Sequence, residues 1–231
     1  MKRVAILQSN YIPWKGYFDI IASVDEFIIY DDVQFTKNDW RNRNKIKTQK
    51  GLQWLTVPVG QDINRLIKEV KINNSRWQTK HWASILHAYK RAPYFDKIAS
   101  ALEPLYFNYE YSNLSHLNRT FIEFVCNQLG IKTKISNSWD YELVTGQTER
   151  LISICEQAGA CEYISGPSAR TYINQALFVK ANIKLTWFEY SDYLKYSQLW
   201  GDFEHFVSVI DLLFNVGSDA EKYIKNLKYL N

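Results

Sequence analysis

"VAILQSNYIPWKGYFDIIASVDEFIIYDDVQF", residues 4–35, is the stretch on which the fold turns. It opens on a compact apolar run, the mark of a buried strand. Tyr17, Phe18, Ile20, Ile21 and Val24 then share one face at helical spacing, with Asp25 near the end of that helix. "EFIIYDDVQF" (26–35) is a second buried strand that closes on acidic residues. Strand, loop, helix and strand fit a right-handed βαβ crossover, which predicts parallel strands. The connector between first strand and helix is unusually rich for a plain turn. It holds Gln8, Asn10, Tyr11, Pro13, Trp14, Lys15 and Gly16.

In open α/β sheets, ligands bind beyond the carboxyl ends of the strands. The opening loop lies there, and the helix after it presents free N–H groups that favour an anion. Gly16 would let a ligand approach the backbone. Gln8, Asn10, Tyr11, Trp14, Lys15 and Gly16 are therefore candidate pocket residues. In the competing reading, Pro13 and Trp14 only plug the top of the sheet. Asp31, Asp32 and Gln34 end the second strand. Neighbouring strand residues point to opposite faces, so one Asp faces the site and the other is structural. "KNDWRNRNKIKTQK" (37–50) is basic, with Asp39 as its one acid. It reads either as an anion-binding segment through Lys37, Trp40 and Arg43 or as a solvated loop. Arg43 offers a bidentate fork for phosphate or carboxylate, and equally a structural salt bridge.

Further along, "GLQWLTVPV" and "LIKEVKIN" read as strands. Residues 75–130 read as helical, with Ser75 and Ser115 as N-caps and Gly130 as a C-terminal stop. The β/α rhythm then returns: "KTKISNS" as strand, 145–160 as helix, "EYISGPSARTYI" as strand, Gly-Pro turn and helix, and "IKLTWFEY" as strand. "FVSVIDLLFNVG" and "AEKYIKNLKYL" are expected helices. The expected fold is α/β, an open, mainly parallel, Rossmann-like sheet with a helical insertion. The expected parts are an N-terminal α/β part (1–74), the insertion (75–130) and a C-terminal α/β part (131–231) that completes one globular domain.

Composition bounds the rest. The chain of 231 residues has a formal charge of +4, too weak by itself to argue for nucleic acid. Aromatics reach 16%, high enough to line a pocket as well as a core. No apolar stretch approaches the length of a membrane span, and the three cysteines lack metal or disulfide spacing. A cytoplasmic setting is expected, without membrane insertion. Cys155 falls on the apolar side of a helix and reads as structural. Ser165 and Ser168 flank a turn that either cradles a phosphate or is a plain Gly-Pro turn. His81 is the histidine placed for acid–base work, against the commoner reading of a structural helical His. No metal site is expected.

The motifs "LQSNYIPWKGYF", "DDVQFTKNDWRNRNKIKTQKGLQWLTVPV", "KHW", "YKRAPYF" and "SVIDLLFNVG" resemble the WbqC-like family over nearly the whole chain. Positions matching its pattern include Gln8, Tyr11, Pro13, Trp14, Gly16, Asp25, Asp32, Gln34, Arg43, Trp54, His81, Tyr89 and Asp211. "SVID" stands where "SIID" is usual, a conservative change. The resemblance implies an enzyme of bacterial surface-polysaccharide (O-antigen) biosynthesis. The implied reaction is acyl or aminoacyl transfer to a nucleotide-linked amino sugar; the resemblance names no catalytic residues, and on their chemistry Asp32 or His81 is the candidate to accept the proton from an attacking amine. The donor would be an activated amino acid or a carrier-bound group. A looser similarity to nucleotidyltransferase-like α/β folds implies an ATP-using ligase instead, with ATP and Mg²⁺ as cofactors. In those folds the opening loop carries histidines where Trp14 and Tyr17 stand here. A non-catalytic module that binds a glycan precursor or a protein is the third reading.

Overall fold

A computed structural model describes residues 1–73 and 76–229. Ser75, an expected N-cap, lies outside the described residues. In chain order the elements are β1 (Arg3–Leu7), α1 (Lys15–Ala22), β2 (Glu26–Ile29), β3 (Arg43–Thr48), β4 (Gly51–Thr56), α2 (Trp77–Tyr89), α3 (Phe95–Phe107), α4 (Leu114–Leu129), β5 (Lys134–Asn137), α5 (Gln147–Gln157), β6 (Glu162–Ser165), α6 (Gln175–Lys180), β7 (Lys184–Trp187) and α7 (Val209–Val216).

The main sheet has the order β5-β2-β1-β6-β7, and every pairing in it is parallel. The chain starts at the centre, walks outward through β2 and β5, then returns to build β6 and β7 on the other side. Strand order therefore reverses between β1 and β6, the switch point where ligands of such sheets bind. Both faces are covered, which is why β1 and β2 are apolar without alternation. Ala5, Phe27 and Ile29 pack toward α1, α2, α3, α4 and α7. Val4, Ile6, Ile28 and Tyr163 pack toward α5 and α6.

One buried carboxylate stitches three chain segments together at the amino end of this sheet. Glu26 accepts from Ser136 and Tyr141 at 2.7 Å each, and pairs with Lys2 and Lys134 at 2.7 and 2.9 Å. Burial alone would raise its pKa. The bonds from Lys2, Tyr141, Lys134 and Ser136 outweigh that and hold it at about 2.

The expectations for 37–59 and 66–73 change in the structure. The basic run is loop only over 37–42: Arg43–Thr48 pairs antiparallel with Gly51–Thr56 in a separate hairpin. Ile46 and Leu55 anchor it in the core, but the charged residues around Ile46 hide the strand pattern. Residues 66–73 form no strand of the main sheet. Ile67 and Lys68 donate their N–H groups to Val33 and Asp31, so this segment follows the loop after β2 and turns at Ile67–Glu69. Asn113, not Ser115, caps α4, its side chain accepting from the His116 N–H. Ser115 is drawn off to Asp31. After α7 the tail runs as 3₁₀ turns (Gly217–Tyr223 and Lys225–Tyr229) rather than an α-helix. Asp19 binds both the backbone N–H and the side chain of Asn226, which pulls the chain off a helical path.

Because the folded-state pKa of Glu26 is depressed, its contribution is present above pH 4.5 and lost as pH falls toward 2. Glu26→Gln is expected to lower stability by about 2–3 kcal/mol at pH 7, the gap to wild type closing below about pH 4. Urea denaturation across pH checks this.

Candidate active-site cleft

A cleft of about 930 Å³ lies at the switch point, at the carboxyl edge of the sheet. Its walls come from the end of β1 (Gln8, Asn10), the end of β2 (Tyr30, Asp32, Gln34), the start of α5 (Gly146, Gln147, Arg150) and the turn after β6 (Ser165–Ala169). Tyr172, Tyr190 and Arg41 complete it.

The floor is organised by Asp31. This fully buried carboxylate accepts from the Ser9 N–H at 2.8 Å, from Ser9 Oγ at 2.7 Å and from Ser115 Oγ at 2.5 Å. Burial raises its pKa, and the serine bonds oppose that. Asn118 donates to Ser9 Oγ and to the Arg41 carbonyl, at 2.9 Å each. Arg41 in turn donates to Asn10 Oδ1 at 2.6 Å and to Gln8 Oε1, and lies 3.6 Å from Asp39. Its Nε is buried without a partner among the described residues. Asp32, the next residue, turns to the cleft in the segment just beyond the end of β2. It accepts from Ser138 at 2.6 Å and pairs with Lys68. It is the one carboxylate among the described lining residues.

Arg150, which also lines the cleft, sits in the first turns of α5, a helix that opens at Gly146 without a side-chain cap. Its Nε donates to the Val144 carbonyl at 2.9 Å, and its charge bears on Tyr30. Burial raises the Tyr30 pKa, and Arg150 works against the rise.

The candidate residues thus divide. Gln8, Asn10, Asp32, Gln34, Ser165 and Ser168 line the cleft. Tyr11, Trp14, Lys15, Gly16, Lys37, Trp40, Arg43 and His81 do not. Tyr11 and His81 are core. His81 Nε2 faces the Thr56 carbonyl at 3.2 Å, an acceptor only, so Nε2 carries the proton. Nδ1 therefore accepts from Tyr11, 2.9 Å away, whose oxygen is left to accept from Tyr106, also at 2.9 Å. Burial lowers the His81 pKa to about 4, against the Thr56 carbonyl.

Trp14 packs on Tyr190, Tyr193 and Phe206, so it supports a cleft wall from behind. Gly16 is needed for that packing, because a Cβ there would stand 2.3 Å from the Trp14 ring. Ile12 holds a positive φ of 39°, costly for a β-branched residue. Asn44 compensates by donating to the Tyr11 and Ile12 carbonyls at 3.1 and 2.7 Å. Lys15 donates to the Leu194 carbonyl at 2.8 Å within a ring of aromatics. Burial lowers its pKa to about 8, against Asp19. Arg43 lies over Trp54 at 4.2 Å, and Trp54 packs beside Trp40 on the outer surface. Lys37 is exposed.

Arg41 and Arg150 escaped the reading of the sequence. A signal for Arg150 existed: a helix that follows a parallel strand begins at the ligand-binding edge, so a cation in its first turns lies there. Arg41 reaches the cleft only through tertiary folding of the 37–42 loop. Cys126 and Cys155 are buried, each thiol pushed up to about 12 by burial and a nearby glutamate, which suits packing rather than nucleophilic attack. Among the described residues no group of three His, Cys, Asp or Glu is placed to hold a metal ion. Among them, too, no helix is long and apolar enough to cross a membrane.

The sequence profile of the WbqC-like protein family matches residues 8–223, from the cleft's first loop to the C-terminal turns. The chain belongs to the WbqC-like protein family. Rv1507c of Mycobacterium tuberculosis, a protein described as uncharacterized, is 54% identical over 227 residues, covering 97% of this chain and 98% of its own length. No solved structure matches.

Two outcomes are expected. His81 is buried uncharged, so stability is lost as pH falls from about 6.5 toward 4, by on the order of 3 kcal/mol. His81→Gln should flatten that slope in thermal denaturation across pH. Gly16→Ala should displace Trp14 and cost about 1–3 kcal/mol, with a change in tryptophan fluorescence.

Proposed function

We propose that the cleft binds a nucleotide-linked amino sugar, and that the chain transfers an acyl or aminoacyl group to it in bacterial surface-polysaccharide assembly. The observation that supports this most is the set of anion-binding groups at the switch point. Arg41, Arg150, the uncapped start of α5 and the Ser165–Ser168 turn all line this one cleft. Guanidinium forks, a helix N-terminus and hydroxyls are what a diphosphate needs. Tyr30, Tyr172 and Tyr190 offer flat faces to a base or sugar. A cleft of about 930 Å³ has room for such a ligand.

Asp32 is the residue placed to accept a proton from an attacking sugar amine. Lys68, paired with it, keeps a positive charge beside the carboxylate. His81 has no part in this reading, since both ring nitrogens are engaged in the core. A second reading, an ATP-using ligase, draws support from the strand order and from the Ser165–Ser168 turn, which suits a phosphate loop. There Mg²⁺ would arrive with the nucleotide, bound by its phosphates.

Thermal-shift measurements with nucleotide-linked amino sugars, and separately with ATP and Mg²⁺, test both. A ligand at a hundred times its Kd should add about 2.7 kcal/mol, a shift of several degrees. Arg150→Ala and Arg41→Ala are expected to abolish that shift. Asp32→Asn should keep binding and lose turnover. A response to ATP alone would favour the ligase. No response to any of them would defeat the cleft as a nucleotide site.

A further inference from the structure

The loop after β1 carries two amide side chains, Gln8 and Asn10, on either side of Ser9. Ser9 turns inward, where Asp31 accepts from its N–H and its hydroxyl at 2.8 and 2.7 Å. Its two neighbours line the cleft. Both give their side-chain oxygens to one guanidinium: Arg41 Nη1 donates to Asn10 Oδ1 at 2.6 Å, and Nη2 donates to Gln8 Oε1. Arginine has donors only, so an amide that meets it must present its oxygen. The planar fork therefore fixes which way each amide is turned. In each amide the NH₂ group is the end left over. Among the described residues neither nitrogen has a hydrogen-bond partner, and neither is shut off from solvent. Two oriented donors thus stand open at the carboxyl edge of the sheet.

Arg41 keeps little for a ligand of its own. Its Nε is buried, both Nη atoms donate to the amides, and Asp39 stands 3.6 Å from Nη2. Its charge lies directly behind the two amides, and a donor at the end of such a chain is polarised toward an anion. We propose that Gln8 and Asn10 form a paired N–H clamp for the anionic oxygens of a phosphate group, and that Arg41 is the positioning residue that keeps both amides turned toward the ligand. This clamp presupposes the nucleotide reading of the cleft and narrows it. The diphosphate lies against the loop after β1, held by oriented amides on that side. A ligand that offers only donors there, such as an ammonium, would meet N–H groups head on.

Isosteric variants test the clamp. Gln8→Glu and Asn10→Asp keep an oxygen on Arg41 and replace the open NH₂ group by a second oxygen. Titration calorimetry of the full chain uses the nucleotide that raises its melting temperature, a nucleotide-linked amino sugar or ATP with Mg²⁺. Each variant is expected to melt no lower than wild type, because a carboxylate strengthens the bond to Arg41, and to bind about tenfold or more weakly. If one of them does not fold, the other carries the test. Arg41→Lys keeps the charge without the fork, and should weaken binding to a similar degree. Inorganic pyrophosphate, added as competitor, should lose affinity by the same factor. The ratio of wild-type to variant affinity should persist in about 1 M salt, where the Debye length is about 3 Å. Wild-type affinity in the amide variants, or a ratio that collapses in high salt, overturns the clamp and leaves the cleft reading standing. A loss confined to the nucleotide puts the amides on base or sugar and overturns the assignment to phosphate. Undiminished affinity in Arg41→Lys overturns the positioning role. No response of the wild-type chain to any nucleotide overturns the cleft reading, and the clamp with it.

Discussion

The Asp31 carboxylate is the constraint on which the carboxyl edge of the sheet depends. A charge-bearing group without solvent contact must be satisfied internally. Three donors do so: the Ser9 N–H and hydroxyl and the Ser115 hydroxyl. These bonds tie the loop after β1 to the end of β2 and to the first turn of α4. Asn118 extends the network to the Arg41 carbonyl, and Arg41 then holds Gln8 and Asn10. The cleft floor is thus a single connected hydrogen-bond network, in which the geometry of one wall follows from the burial of another residue. Beyond the end of β2, Asp31 turns inward to Ser9 and Ser115 while Asp32 turns to the cleft.

The same logic separates support from contact in the opening loop. Its polar members, Gln8 and Asn10, reach the cleft, and its large members go inward. Trp14 braces Tyr190, and Tyr11 joins His81 and Tyr106 in a buried chain of hydrogen bonds. The loop accepts strain at Ile12 because Asn44 satisfies the two carbonyls that the unusual backbone exposes. Such strain persists only where the surroundings over-determine it. Family membership, carried by residues 8–223, therefore covers bracing residues as much as lining ones.

Two cavities flank one ion pair, Asp32–Lys68, at the ends of parallel strands. Arg41 and Arg150 bound the larger, and Lys68, Arg119 and Asn137 the smaller. The outer hairpin, with Arg43 over Trp54, carries its cations on a separate surface.

The amino-acid sequence by itself determined the parallel α/β class, because buried parallel strands are continuous apolar runs and the crossover helix has its own period. It also pointed to the carboxyl edge of the sheet, where a large cleft lies. Local pattern could not reveal β3, whose single inward apolar residue, Ile46, sits among charges. Nor could it show that residues 66–73 pair with a loop rather than a strand. Tertiary structure alone decided that His81 is core and that Arg41 and Arg150 line one cleft. These are contacts between residues far apart in the chain. Their partners are chosen by how the layers pack, and periodicity carries no information about that.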